Sequence, residues 1–172
     1  MTSDPDPVTG DYRATIAWGR DHSRILDKDA ALAYASTIFD AAQRAEYDAA
    51  VVRQLTTLPD IDVDAAVGVL RDVWEDRPDL DSTAIAPMLL QPGLNKREMR
   101  PGIVVHLDDG DKPRTLGTWT VQQAREHATQ VMETVWAVDL DSAYLRFLRG
   151  TMDLDAGTAR AMISDLANHR TS

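Results

Sequence analysis

Residues 31–73, ALAYASTIFDAAQRAEYDAAVVRQLTTLPDIDVDAAVGVLRDV, align without a gap on residues 124–166, AREHATQVMETVWAVDLDSAYLRFLRGTMDLDAGTARAMISDL, at an offset of 93. Ten of the 43 positions are identical, among them Ala31/Ala124, Ala35/Ala128, Asp48/Asp141, Arg53/Arg146, Asp62/Asp155, Ala66/Ala159 and Asp72/Asp165. Other positions exchange like for like, such as Ile38/Val131, Val52/Leu145 and Leu70/Ile163. An apolar phase held over that length reads as an internal duplication, and a fixed repeat outranks local signals in deciding the fold.

A β-hairpin precedes each copy. Ile103 to Leu107 is β-rich, Asp109-Gly110 is a tight-turn signal and Arg114 to Trp119 is the returning strand. Ahead of the first copy, Tyr12 to Trp18 and Arg24 to Leu26 flank a loop at Gly19 to Ser23. A helix follows each hairpin. Thr120-Val-Gln-Gln123 has capping-box form, and Asp27 takes the equivalent cap position. Ala31, Ala35, Ile38, Phe39 and Ala42, like Val121, Ala124, Ala128, Val131, Met132 and Val135, recur at helical spacing.

Asp48/Asp141 and Asp62/Asp155 each stand just before a further apolar run, where a carboxylate accepts the unpaired backbone N–H groups of a helix start. That predicts a short second helix at Asp48 to Leu55 and Asp141 to Leu148, and a third at Val63 to Val73 and Ala156 to Leu166. The expected fold is α+β and predominantly helical, an internal duplication of a ββααα unit packed about a pseudo-two-fold axis. Residues 1–10 read as a disordered tail, 11–73 as repeat 1, 74–102 as a Pro-rich connector and 103–168 as repeat 2. A repeat of this size alone has a thin core, so the two are expected to share one.

Composition excludes several function classes. There are no cysteines, hence no disulfide, thiolate metal site or cysteine nucleophile. The net charge of -10, from 23 Asp and 5 Glu against 15 Arg and 3 Lys, repels phosphate backbones and anionic lipids, so neither nucleic acid nor membrane is an expected partner. The acidic, Pro-containing N-terminus lacks the basic and apolar regions of a signal peptide, and a cytoplasmic location follows.

Tests for chemistry return little. Asp60 to Asp64 imitates the start of a calcium loop, but Ala65 and Arg71 stand where glycine and a bidentate glutamate belong. Asp108 to Asp111 reads as a solvated turn. His22, His106, His127 and His169 form no HExxH pair, and no phosphate-loop, dinucleotide or nucleophile-elbow motif occurs. No catalytic residue, cofactor or metal ligand is assigned. Arg53/Arg146 and Asp72/Asp165 read as inter-helix ion pairs, with an anion grip by the two arginines as the alternative. The pattern from Val104 to Gly110 followed by Thr120 to Ala128 is similar to segments of small bacterial proteins, a likeness that implies no activity.

Two stretches are candidate partner-binding surfaces. Lys96, Arg97 and Arg100 make a basic island in an acidic chain. Tyr144 and Phe147, interleaved with Arg146 and Arg149, have the aromatic and arginine mixture of interfaces; their alternative is core. The leading function is therefore a non-enzymatic protein-interaction or accessory module with an unidentified protein partner, and homo-oligomerisation stays open. The alternatives are a small-molecule binder or cryptic enzyme with its site between the repeats, and an acidic decoy or immunity-type inhibitor of a basic partner.

Overall fold

Asp27 and Thr120 set where the two long helices begin. In the computed structural model, which describes residues 2–5, 12–18, 22–77, 80, 88–108 and 113–170, the amide N–H of Ala30 donates to Asp27 Oδ1 at 2.8 Å. The N–H of Gln123 donates to Thr120 Oγ1 at 3.1 Å, and Gln123 Oε1 accepts in return from the Thr120 N–H at 2.9 Å. This reciprocal pair satisfies two helix-start donors at once. Helix α1 spans Lys28–Leu55 and α3 spans Val121–Gly150.

The shorter helices, α2 (Val63–Glu75) and α4 (Ala156–Arg170), start on the aspartates read as caps. Asp62 Oδ1 accepts from the Ala65 N–H at 2.8 Å, and Asp155 Oδ1 accepts from the N–H groups of Gly157 and Thr158 at 2.9 and 3.0 Å. Two residues upstream, Asp60 and Asp153 both take left-handed backbone, φ 68 and 53, reversing the chain between helices.

Six strands form two antiparallel three-stranded sheets. The first holds β1 (Thr2–Pro5), β2 (Tyr12–Trp18) and β3 (His22–Leu26), with Ala14 opposite Leu26. The second holds β4 (Met88–Asn95), β5 (Arg100–Leu107) and β6 (Arg114–Thr120), with Met88 opposite Leu107, Leu90 opposite Val105 and a register shift at Val105/His106. Ile103, Val105 and Leu107 are buried in strict alternation, the pattern of a sheet with one face on the core.

The chain forms two compact units, residues 32–130 and residues 1–31 with 131–172, whose boundaries fall inside α1 and α3. Within the first, the Tyr34 hydroxyl donates to Met88 Sδ at 3.3 Å, joining α1 to β4. Val52, Ala66, Val67 and Leu70 knit α1 to α2, and Leu94 and Met99 from the β4–β5 hairpin pack on them. Within the second unit, Leu145, Ala159 and Ile163 knit α3 to α4, with Leu148 and Leu154 against them.

The α+β class agrees with expectation, but the unit drawn from sequence needs correction. Each half runs βββαα, not ββααα. No helix break occurs at Asp48 or Asp141: α1 and α3 run through, and both aspartates are buried in mid-helix. No proline or glycine separates the two stretches in either copy, so one continuous helix keeps every backbone hydrogen bond. The expected connector holds β4 and the start of β5. Pro92 fits there because β4 is an edge strand, and Pro101 because it lies beyond the end of β5–β6 pairing at Gly102. Strand β1 lies in the stretch read as a disordered tail. The Asp109-Gly110 turn lies outside the described residues.

Candidate docking face

Helix α3 is apolar on both sides. Val131, Val135 and Leu145 are buried, as a core stripe must be. On the opposite side Trp136, Leu140, Tyr144 and Phe147 are 59%, 47%, 43% and 50% exposed. At 100° per residue these four, with the exposed Ala143, fall within about a quarter-turn of one another and form one stripe down three turns. Of the expected partner-binding residues, Tyr144 and Phe147 therefore stand on the surface. Trp136 and Leu140 escaped sequence reasoning because they also fit helical periodicity, which does not say which of two apolar faces is inside.

Charged groups flank this stripe on one edge. Asp139 is ion-paired with Lys28, both about half exposed, and Arg146 stands two turns further along. The expected pairs Arg53–Asp72 and Arg146–Asp165 are not among the ion pairs of the described residues, and all four side chains are exposed.

The basic island occupies the β4–β5 hairpin, in the other compact unit. Asn95 Oδ1 accepts from the N–H groups of Arg97 and Glu98 at 3.1 and 3.4 Å, and Met99 takes φ 52, so the turn is built locally. Its charge is partly offset. Lys96 hydrogen-bonds and ion-pairs with Asp64, which holds that carboxyl below its ordinary pKa, and Arg100 Nη1 lies 3.7 Å from Glu98 Oε2. Arg100 also borders an open groove of about 740 Å³ beside Arg125, whose guanidinium grips Glu46 with two bonds of 3.0 and 2.6 Å.

A second feature of that unit is polar and buried. Asp48, 1% exposed, accepts from Trp74 Nε1 at 2.7 Å, and its Oδ1 lies 2.8 Å from Arg77 Nη2. A carboxylate in the middle of a helix is thereby hydrogen-bonded through one oxygen to Trp74 at the end of α2 and ion-paired through the other to Arg77 just beyond it. These three residues line a cavity of about 360 Å³ with Arg44, Leu89 and Gln91.

Between α1 and α3, His127 Nε2 lies 3.3 Å from Tyr34 Oη, with the two rings edge to face at 6.0 Å. Its ring also lies tilted against Trp119, with centroids 5.0 Å apart. Desolvation in these surroundings lowers the His127 pKa, since the imidazolium loses water.

Among the described residues no group of three His, Asp or Glu side chains is arranged to hold a metal ion, and no helix is long and apolar enough to cross a membrane. Comparison with protein families, with curated proteins and with solved structures finds no match.

Proposed function

We propose that this is a cytoplasmic, non-enzymatic protein-interaction module whose docking face is the outer side of α3. The observation that carries the reading is the stripe Trp136, Leu140, Tyr144 and Phe147, large apolar groups turned to solvent opposite an already complete core face. Each side chain of that size offers about 150–250 Å², so their exposed parts sum to roughly 400 Å², within the range of patches that mark interaction sites. A face that contributes nothing to the fold of its own chain gains from burial only when something else covers it.

The test is affinity capture from native lysate with three forms of the full chain. The parent and a Lys96→Ser/Arg97→Ser/Arg100→Ser variant should recover the same proteins, because the charge of the basic turn is partly offset by Asp64 and Glu98. A Trp136→Ser/Phe147→Ser variant should lose them while melting as the parent does. Retention of every partner by the stripe variant sinks this reading, and loss only in the basic-turn variant transfers the site to the β4–β5 hairpin.

One observation favours a second reading, small-molecule binding. The cavity at Asp48, Trp74 and Arg77 is of ligand size and combines apolar walls with convergent polar groups. It is formed by α1 and α2 from the first half of the sequence and β4 from the second, which suits a site between repeats. A Trp74 fluorescence change on screening carboxylate-bearing metabolites would support it.

We infer too that the two halves are copies of one unit. Long helices starting at residues 28 and 121, short ones at 63 and 156, left-handed aspartates at 60 and 153, and buried aspartates at 48 and 141 all obey the offset of 93. Tyr34 and His127 obey it as well, and they touch. A residue meets its own equivalent only near a two-fold axis, so this contact supports a pseudo-two-fold relation.

A further inference from the structure

We propose that the outer face of α3 pairs antiparallel with α3 of a second copy of this chain, an inference that rests on the docking reading above and names its occupant. Trp136, Leu140, Ala143 and Phe147 are spaced by four, three and four residues. That is the spacing of a helix-on-helix seam, in which knobs of one helix enter holes of the other. On one edge of the seam stand Asp139 and Arg146, seven residues apart and thus in register two turns from each other. On the opposite edge stand Tyr144 and the half-buried Ala137.

These edges decide the occupant and the direction. With two α3 helices antiparallel and centred between residues 141 and 142, Trp136 shares a layer with Phe147 of the second copy, and Leu140 with Ala143. Like edges then face each other: Asp139 meets Arg146 of the second copy, twice by symmetry, and Tyr144 covers Ala137. The large residue at each layer meets a smaller or planar one. In a parallel alignment the Asp139 edge faces the Tyr144 edge and finds no opposite charge. A uniformly acidic or basic partner leaves either Asp139 or Arg146 against its own sign. A second copy supplies both complements by symmetry. Lys28 donates to Asp139 Oδ2, which leaves the second carboxylate oxygen able to accept from a guanidinium.

The seam's roughly 400 Å² of exposed apolar surface is about half of the ~800 Å² per partner buried in a standard stable interface. The dimer is accordingly reversible and belongs to the micromolar class, populated at high local concentration.

Sedimentation velocity on the full chain from about 1 to 200 µM reads this directly. The parent's mean mass should rise toward twice the monomer, while Leu140→Asp and Phe147→Asp remain monomeric with unchanged circular dichroism and melting. Asp139→Arg and Arg146→Asp should each weaken self-association about tenfold or more, because every edge contact becomes like with like. An equal mixture of those two variants should regain the parent's dimer, since each edge again meets its opposite. A parent that stays monomeric at 200 µM overturns the second copy as occupant and leaves the docking reading to the capture experiment. A dimer that persists in Leu140→Asp forms through another surface, overturns the α3 pairing and again leaves the docking reading to the capture experiment. A dimer lost in Leu140→Asp but indifferent to either charge reversal overturns the antiparallel pairing.

Discussion

Helices α1 and α3 are alike inside and unlike outside. Toward the core, Ala31/Ala124, Ala35/Ala128, Ile38/Val131, Ala42/Val135, Asp48/Asp141 and Val52/Leu145 are buried pair by pair. Toward solvent, Gln43 stands where α3 has Trp136, Tyr47 where it has Leu140, Val51 where it has Tyr144 and Gln54 where it has Phe147. The inner positions answer to close packing, where a single methylene matters. The outer positions answer to solvent and partners, and only α3 fills all four with large exposed apolar groups; α1 has glutamine at two of them, and its Val51 is half-buried against the α1–α2 core. Function is to be sought at positions where two similarly built helices stop agreeing.

The inner likeness breaks most visibly at its polar pair. Asp48→Ala leaves the Trp74 N–H and the Arg77 guanidinium without their acceptor in a buried site. Breaking one side of such a pair costs about 3 kcal/mol, at the low end because Arg77 keeps some contact with water. In a chain of this length that lowers Tm by about 6–12 °C, readable by calorimetry. Asp141→Ala should fall comparably. A neutral Asp141→Ala would mean that burial at the two positions serves different ends and would undercut the duplication.

Next in size are the helix starts. Asp27→Ala and Thr120→Ala should each cost about 1 kcal/mol in denaturant unfolding, at unchanged m-value. The reciprocal arm, in which Gln123 Oε1 accepts from the Thr120 backbone N–H, survives Thr120→Ala, so Gln123→Ala measures it separately and should cost a few tenths of a kcal/mol. A neutral Gln123→Ala would show that this arm adds nothing.

Cap chemistry also explains what was readable from sequence. Asp27, Thr120, Asp62 and Asp155 carry short-range signals, and each helix begins where they put it. Asp48 and Asp141 carry the same local signal and do not act on it, because an aspartate before an apolar run is also what a buried mid-helix aspartate looks like. Its partners, Trp74 and Arg77, lie 26 and 29 residues away, beyond any local pattern. Strand β4 was hidden by Pro92 and by Pro101 of its partner strand, which exclude a helix or a central ladder but not an edge. For the docking face, Tyr144 and Phe147 were found through their arginine neighbours. Trp136 and Leu140 needed the comparison with Gln43 and Tyr47, a signal present in the repeat.

The smallest expected effect concerns the pair that touches across the offset, Tyr34 and His127. A histidine whose pKa is lowered by burial is held neutral in the folded state, whereas in the unfolded chain it takes up a proton at its ordinary value near 6.5. Folding stability from this site is therefore fully present above about pH 6.5. It declines as pH falls below that value toward the lower folded-state pKa, because the unfolded state binds the proton first. Chemical denaturation at pH 7.5 and pH 5.5 should show the parent less stable at the acid end, and His127→Gln, which cannot be protonated, should flatten that slope. A parent whose stability does not change between the two pH values would mean that water reaches His127, and the Tyr34 contact would then no longer support a closely packed axis between the copies.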